Sequence, residues 1–172
     1  FTAEVASTVN EQLMFDYLYA HSSSEAEKAL LLTNQLDNIR STLYRQTLFA
    51  DFENITHHAV ESGLPLLPEK MCADYAELYH IYHGDDFIVD DLLTYEWARI
   101  PHFYRAFYVY QYATGISAAT AIAKGIIEHK ENAVQNYRTF LTKGGSDYPI
   151  ELLKIAGVDM ASPKPIEDAL SY

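Results

Sequence analysis

The chain holds 172 residues, 49% of them apolar and 13% aromatic, with 12 Lys and Arg against 24 Asp and Glu for a net charge of −12. That length suits one domain with a real core and argues against wholesale disorder. The acid excess excludes the positive footprint of a nucleic-acid binder. The single cysteine, Cys72, excludes an intrachain disulfide framework and fits a reducing, cytoplasmic compartment. No stretch reaches the roughly 20 apolar residues that a membrane-spanning helix needs.

Strand signals are sparse and helical ones abundant. Residues 2–19 are mostly apolar on every face, which predicts a buried first helix. His21-Ser22-Ser23-Ser24 interrupts it and supplies a serine N-cap, with Glu25 and Glu27 in the turn that follows. Ala29, Leu32, Leu36, Ile39 and Leu43, then Leu48, Phe52, Ile55 and Ala59, predict one long helix or two in line to about Ser62, closed by Gly63 and Pro65. Residues 68–83 predict another helix, stopped by Gly84.

The acidic pairs Asp85-Asp86 and Asp90-Asp91 flank what reads as a short connector. Pro101 occupies a first-turn position, and the helix after it is expected to run from His102 to near Glu128. Helices over 132–141 and 149–156 follow, closed by Gly144-Gly145 and Gly157, and Ser162-Pro163 opens a last short one. The expected fold is all-α, a single helical unit over residues 1–172 with no substantial sheet. The chain opens at Phe1 with neither Met nor a basic, apolar leader, as expected if its front was removed or if it is the tail of something longer.

Two features carry candidate chemistry. Glu4 lies in the opening turn among Ala3, Val5, Ala6, Val9 and Leu13, and shares one side of that helix with Thr8 and Glu11. A carboxylate held against apolar neighbours needs a hydrogen bond, a counter-charge or a metal. The second is the run from Trp97 to Tyr112. On a continuous helix Tyr104, Tyr108 and Tyr112 would stack along one face, Tyr110 and Gln111 would lie to either side, and His102 would stand at its head. So many hydroxyls would each need a partner in a core, which favours a lined cleft whose phenols could hold a developing oxyanion.

Ala3-Glu4-Val5-Ala6-Ser7-Thr8-Val9-Asn10-Glu11, Arg45-Gln46-Thr47-Leu48-Phe49-Ala50-Asp51-Phe52-Glu53, Phe107-Tyr108-Val109-Tyr110-Gln111-Tyr112-Ala113-Thr114-Gly115 and Gly157-Val158-Asp159-Met160 occur in this order. Together they resemble the C-terminal part of the oligoendopeptidase F family, thimet-oligopeptidase-like zinc metallopeptidases. The resemblance spans nearly all of the chain. It implies a helical, C-terminal portion of a zincin-type catalytic domain that hydrolyses internal bonds of short peptides by metal-activated water. It implies Glu4 as the third zinc ligand, His102, Tyr108 and Tyr110 as catalytic donors, and Tyr104 and Tyr112 as substrate contacts.

The remaining ligands and the general base would come from an upstream His-Glu-x-x-His, which these 172 residues lack. The partners implied are peptide substrates and the missing N-terminal part of the same enzyme, with exposed apolar surface able to pair two copies. The chain alone is then expected to be inactive and to hold no tight zinc, because one ligand cannot assemble a three-ligand site. Two rival readings stand beside this one. A non-catalytic helical interaction domain would have a closed surface and an exposed Glu4. A carboxylate-bridged metal bundle would draw on Glu53, Glu77 and His80.

Overall fold

The computed structural model describes residues 2–171, and every regular element among them is helical. The elements are α1 (Thr2–His21), α2 (Glu25–Ile39), a wide π turn (Arg40–Tyr44), α3 (Arg45–Glu61), α4 (Pro68–His83), 3-10 turns (Leu93–Arg99 and Pro101–Tyr104), α5 (Tyr110–Ile127), α6 (Ala133–Lys143), α7 (Pro149–Ile155) and α8 (Lys164–Leu170). They divide into two compact units. Residues 2–43 and 111–171 form one, and residues 44–110 the other.

The first unit has an aliphatic core. Val5 and Val9 of α1, Ala118, Ala119, Ile122 and Ala123 of α5, Tyr137 and Phe140 of α6, and Leu152 and Leu153 of α7 bury together. Small side chains on α5 let its neighbours approach closely, and the Tyr137 hydroxyl donates to the Ala6 carbonyl at 3.0 Å. Asp168, buried on α8, accepts from Lys124 Nζ at 2.6 Å and Lys164 Nζ at 2.9 Å. Ser24 caps α2 by accepting the Glu27 N–H at 3.2 Å. The Glu27 carboxylate turns back to accept from Ser22 Oγ at 2.9 Å and the Ser23 N–H at 3.2 Å.

The first helix is not buried all round. Only Val5, Val9 and Gln12 are inaccessible, while Met14, Tyr17, Leu18 and Tyr19 are exposed. On α2, Leu30, Leu32 and Leu36 are likewise exposed, so over that helix the apolar stripe read from the sequence packs only at its end, at Ile39, with Leu43 following in the π turn. The stretch expected as one long helix or two in line to about Ser62 comprises α2, the π turn and α3, and at the π turn the stripe itself steps by five, from Leu43 to Leu48.

The second unit is aromatic. Pro68 opens α4 at the position where a missing N–H costs nothing, and Gly84, at φ +85°, ends it. Phe52 meets Tyr75 edge-on at 5.1 Å and Phe103 at 5.7 Å, and Phe49 meets Phe103 edge-on at 5.8 Å. Leu48, Leu78, Ile100 and Val109 complete this core.

Within it lies a carboxylate that the sequence did not single out. Glu96, 5% exposed, accepts from the Tyr75 hydroxyl at 3.0 Å and the Tyr79 hydroxyl at 2.5 Å. Its other oxygen pairs with Arg45, and with Arg99 at 2.6 Å. Burial alone would push the Glu96 carboxyl up, but the Tyr79 and Tyr75 hydrogen bonds and the Arg45 charge outweigh it and hold the group below its ordinary value. The same burial pushes the Tyr79 phenol up to about 12.

Candidate functional site

The helix expected from His102 to Glu128 exists only from Tyr110 onward. Residues 101–104 make a 3-10 turn, and a tight turn at 105–109 separates it from α5. Tyr104, Tyr108 and Tyr112 therefore do not form one helical row: Tyr104 ends the 3-10 turn, Tyr108 lies in the tight turn, and Tyr112 is in the first turn of α5. The reason is a bond no local pattern encodes. Phe107 sits in the left-handed region at φ +56°, and its N–H donates to Glu53 Oε1 on α3 at 3.0 Å.

The segment is pinned at three further points. Ile100 and Val109 are buried at its ends, and Phe103 inserts between Phe49 and Phe52. The Arg105 N–H donates to the His102 carbonyl at 2.9 Å and the Tyr108 N–H to the Arg105 carbonyl at 3.2 Å, closing the turn on itself. The result brings His102 and Tyr108 together, their rings stacked at 5.8 Å, with the Arg105 guanidinium 4.8 Å from the Tyr108 ring centre. Tyr104 is 93% exposed and Tyr110 49% exposed. Residues 102–110 thus carry an imidazole and three phenols, Tyr104 the most exposed of them, side chains of a kind that can donate hydrogen bonds to a bound carbonyl.

Glu53 is 3% exposed. Burial pushes its carboxyl up, against the opposing pull of the Phe107 N–H and the His57 charge. Its second oxygen has no protein partner, nor has the nearby Trp97 Nε1. The His57 ring packs on Phe107 at 4.6 Å. Glu53 and Phe107 were not read as a pair from the sequence. The available signal was Glu53 following Phe49 at i+4, which puts an acid on the buried face of α3.

Glu4 and Tyr112 belong to the unit of residues 2–43 and 111–171, and His102, Tyr104, Tyr108 and Tyr110 to the other. Glu4 is exposed rather than enclosed by its apolar neighbours, and its carbonyl accepts from Ser7 Oγ at 3.0 Å. The donors do not make up a metal site on their own. Among the described residues no three His, Cys, Asp or Glu side chains converge. That also removes the carboxylate-bridged bundle: Glu77 and His80 are exposed on α4, while Glu53 holds the Phe107 N–H. Cys72 is half-buried. No helix among the described residues is long and apolar enough to cross a membrane.

A histidine and several tyrosines lie on and around one pinned turn of an all-helical chain. Residues 1–172 match Peptidase family M3 throughout, and the chain belongs to that family. It is 47% identical over 169 residues to oligopeptidase PepF of Bacillus subtilis, covering 98% of this chain and 25% of that protein. It is 43% identical over 171 residues to an oligoendopeptidase F homolog of Borreliella burgdorferi, covering 99% of this chain and 29% of that one. The crystal structure of oligoendopeptidase-F from Enterococcus faecium superposes with a TM-score of 0.96 at 44% identity, over 99% of this chain and 33% of that one. The chain therefore spans about a quarter to a third of the length of these relatives.

Proposed function

We propose that this chain is the C-terminal portion of an oligoendopeptidase that hydrolyses internal bonds of short peptides in the cytoplasm. The match to Peptidase family M3 over residues 1–172 carries the reading. In it, His102, Tyr108 and Tyr110 donate hydrogen bonds to the oxyanion or the peptide backbone, and Tyr104 and Tyr112 contact the substrate. The stacking of His102 on Tyr108 supports their acting together. Glu4 serves as one zinc ligand, its partners lying outside these 172 residues. The chain alone is then inactive, and its natural partner is the rest of the enzyme, against which exposed side chains such as Leu30 and Leu36 have a use.

The exposure of Glu4 favours the alternative, a non-catalytic interaction domain. A metal ligand also has to be reachable, however, and the interaction-domain alternative gives no account of the match to Peptidase family M3 over residues 1–172. The test is Tyr110→Phe in the full-length protein. Losing one such donor lowers kcat on the order of 10²–10³-fold, with zinc content unchanged by metal analysis. Full turnover in that variant removes Tyr110 from this role.

A further inference from the structure

We infer that Glu53 is a positioning residue of the proposed hydrolysis: by accepting the Phe107 N–H it holds the turn that sets His102, Tyr108 and Tyr110, an inference that rests on the peptidase reading. Four observations on this one contact support it. Phe107 adopts φ +56°, a conformation that bulky L residues rarely take, and it does so where its N–H meets Glu53 Oε1 at 3.0 Å. The carboxylate is 3% exposed, and its other oxygen has no protein partner. Burying an acid for a single hydrogen bond is a poor way to stabilise a fold. Costs of this kind concentrate where a functional conformation has to be held.

The third observation is reach. Tyr108 follows Phe107 directly, and the Tyr108 N–H to Arg105 carbonyl bond passes the same geometry back toward His102. The fourth is the His57 ring, which closes on Phe107 at 4.6 Å, so a second α3 side chain braces the same residue. Glu53 itself touches neither His102 nor the tyrosines by any described bond. It acts through the backbone of the turn.

The variants are Glu53→Ala, Glu53→Asp and Glu53→Gln in the full-length protein, measured in two ways. Hydrogen exchange reads the tether: the Phe107 amide should exchange about 10- to 100-fold faster in Glu53→Ala and Glu53→Asp, which lose the acceptor or withdraw it by one methylene. Glu53→Gln keeps an oxygen at that place and should keep the protection. Peptide hydrolysis reads the consequence: kcat falls about 10- to 100-fold in the first two with KM little changed, and Glu53→Gln restores most of it.

Wild-type exchange at Phe107 in Glu53→Asp overturns the tether, as does a Glu53→Gln variant as impaired as Glu53→Ala. If Glu53→Ala does not fold, the contrast between Glu53→Asp and Glu53→Gln decides alone. A wild-type protein that hydrolyses no peptide overturns the peptidase reading, while the exchange measurement still decides the tether.

Discussion

Glu96→Ala tests what holds the 44–110 unit together. The substitution leaves the Tyr75 hydroxyl, in a side chain 0% exposed, and the buried Tyr79 hydroxyl without their shared acceptor. Each stranded hydroxyl costs about 1–3 kcal/mol, which puts the loss at roughly 2–6 kcal/mol. Arg45 and Arg99 add little, because both side chains reach solvent and rehydrate. Trp97 is the only tryptophan in the chain and lies next to Glu96, so its fluorescence during urea unfolding follows this unit. Adding Tyr75→Phe in the Glu96→Ala background should recover part of the loss, since it deletes one stranded group. Acid should mimic the substitution. The folded Glu96 carboxyl is held below its ordinary 4.5, so its contribution is present above that pH and drains away as pH falls through the lower folded value. A Glu96→Ala variant within about 0.5 kcal/mol of wild type, the range of ordinary surface substitutions, refutes the reasoning, as does strict additivity with Tyr75→Phe.

Two further outcomes concern the other unit. Ser24→Ala removes the acceptor of the Glu27 N–H and should cost about 1 kcal/mol, read as faster amide exchange at the start of α2 with α5 unaffected. Asp168→Asn weakens the bonds from Lys124 and Lys164 and should cost about 1–3 kcal/mol at neutral pH by urea unfolding followed by circular dichroism. Those two lysines hold the Asp168 carboxyl below its ordinary 3.8, so the gap between wild type and variant should close as pH falls through and below that value. A gap that widens in acid contradicts the assignment.

What the sequence made legible follows from which forces are local. The span of α4 was readable to the residue because Pro68 and Gly84 mark its ends in the chain itself. The Ser24 cap and the Gly63 and Gly157 stops were readable for the same reason. The break at 105–109 was not, because tyrosines at i and i+4 look helical whether or not the backbone between them is. The determinant there lies 54 residues away, at Glu53. Glu96 escaped notice likewise, as its burial depends on Tyr75, Tyr79 and Arg45 arriving from two other helices. The π turn did leave a trace, the five-residue step from Leu43 to Leu48, though a step of five alone does not say whether a helix widens or ends. The site residues were picked out by a resemblance carried on long motifs. Their geometry was not.

The two buried acids of the 44–110 unit have a common cause. Residues 93–109 contain only 3-10 turns and a tight turn, which satisfy fewer backbone groups than an α-helix and fix the chain less firmly. A segment without a regular ladder has to be held by side chains from elsewhere. Glu96 reaches out of it to Tyr75, Tyr79 and Arg45, and Glu53 reaches into it from α3 to the Phe107 N–H. The 2–43 and 111–171 unit, built from longer regular helices, closes over Val, Ala, Ile and Leu with Tyr137 and Phe140, and its own buried acid, Asp168, is held by Lys124 and Lys164. Within the 44–110 unit, irregular backbone and buried charge therefore occur together. The irregular stretch that they hold is the one that carries His102, Tyr104 and Tyr108 and leads into Tyr110, the first residue of α5.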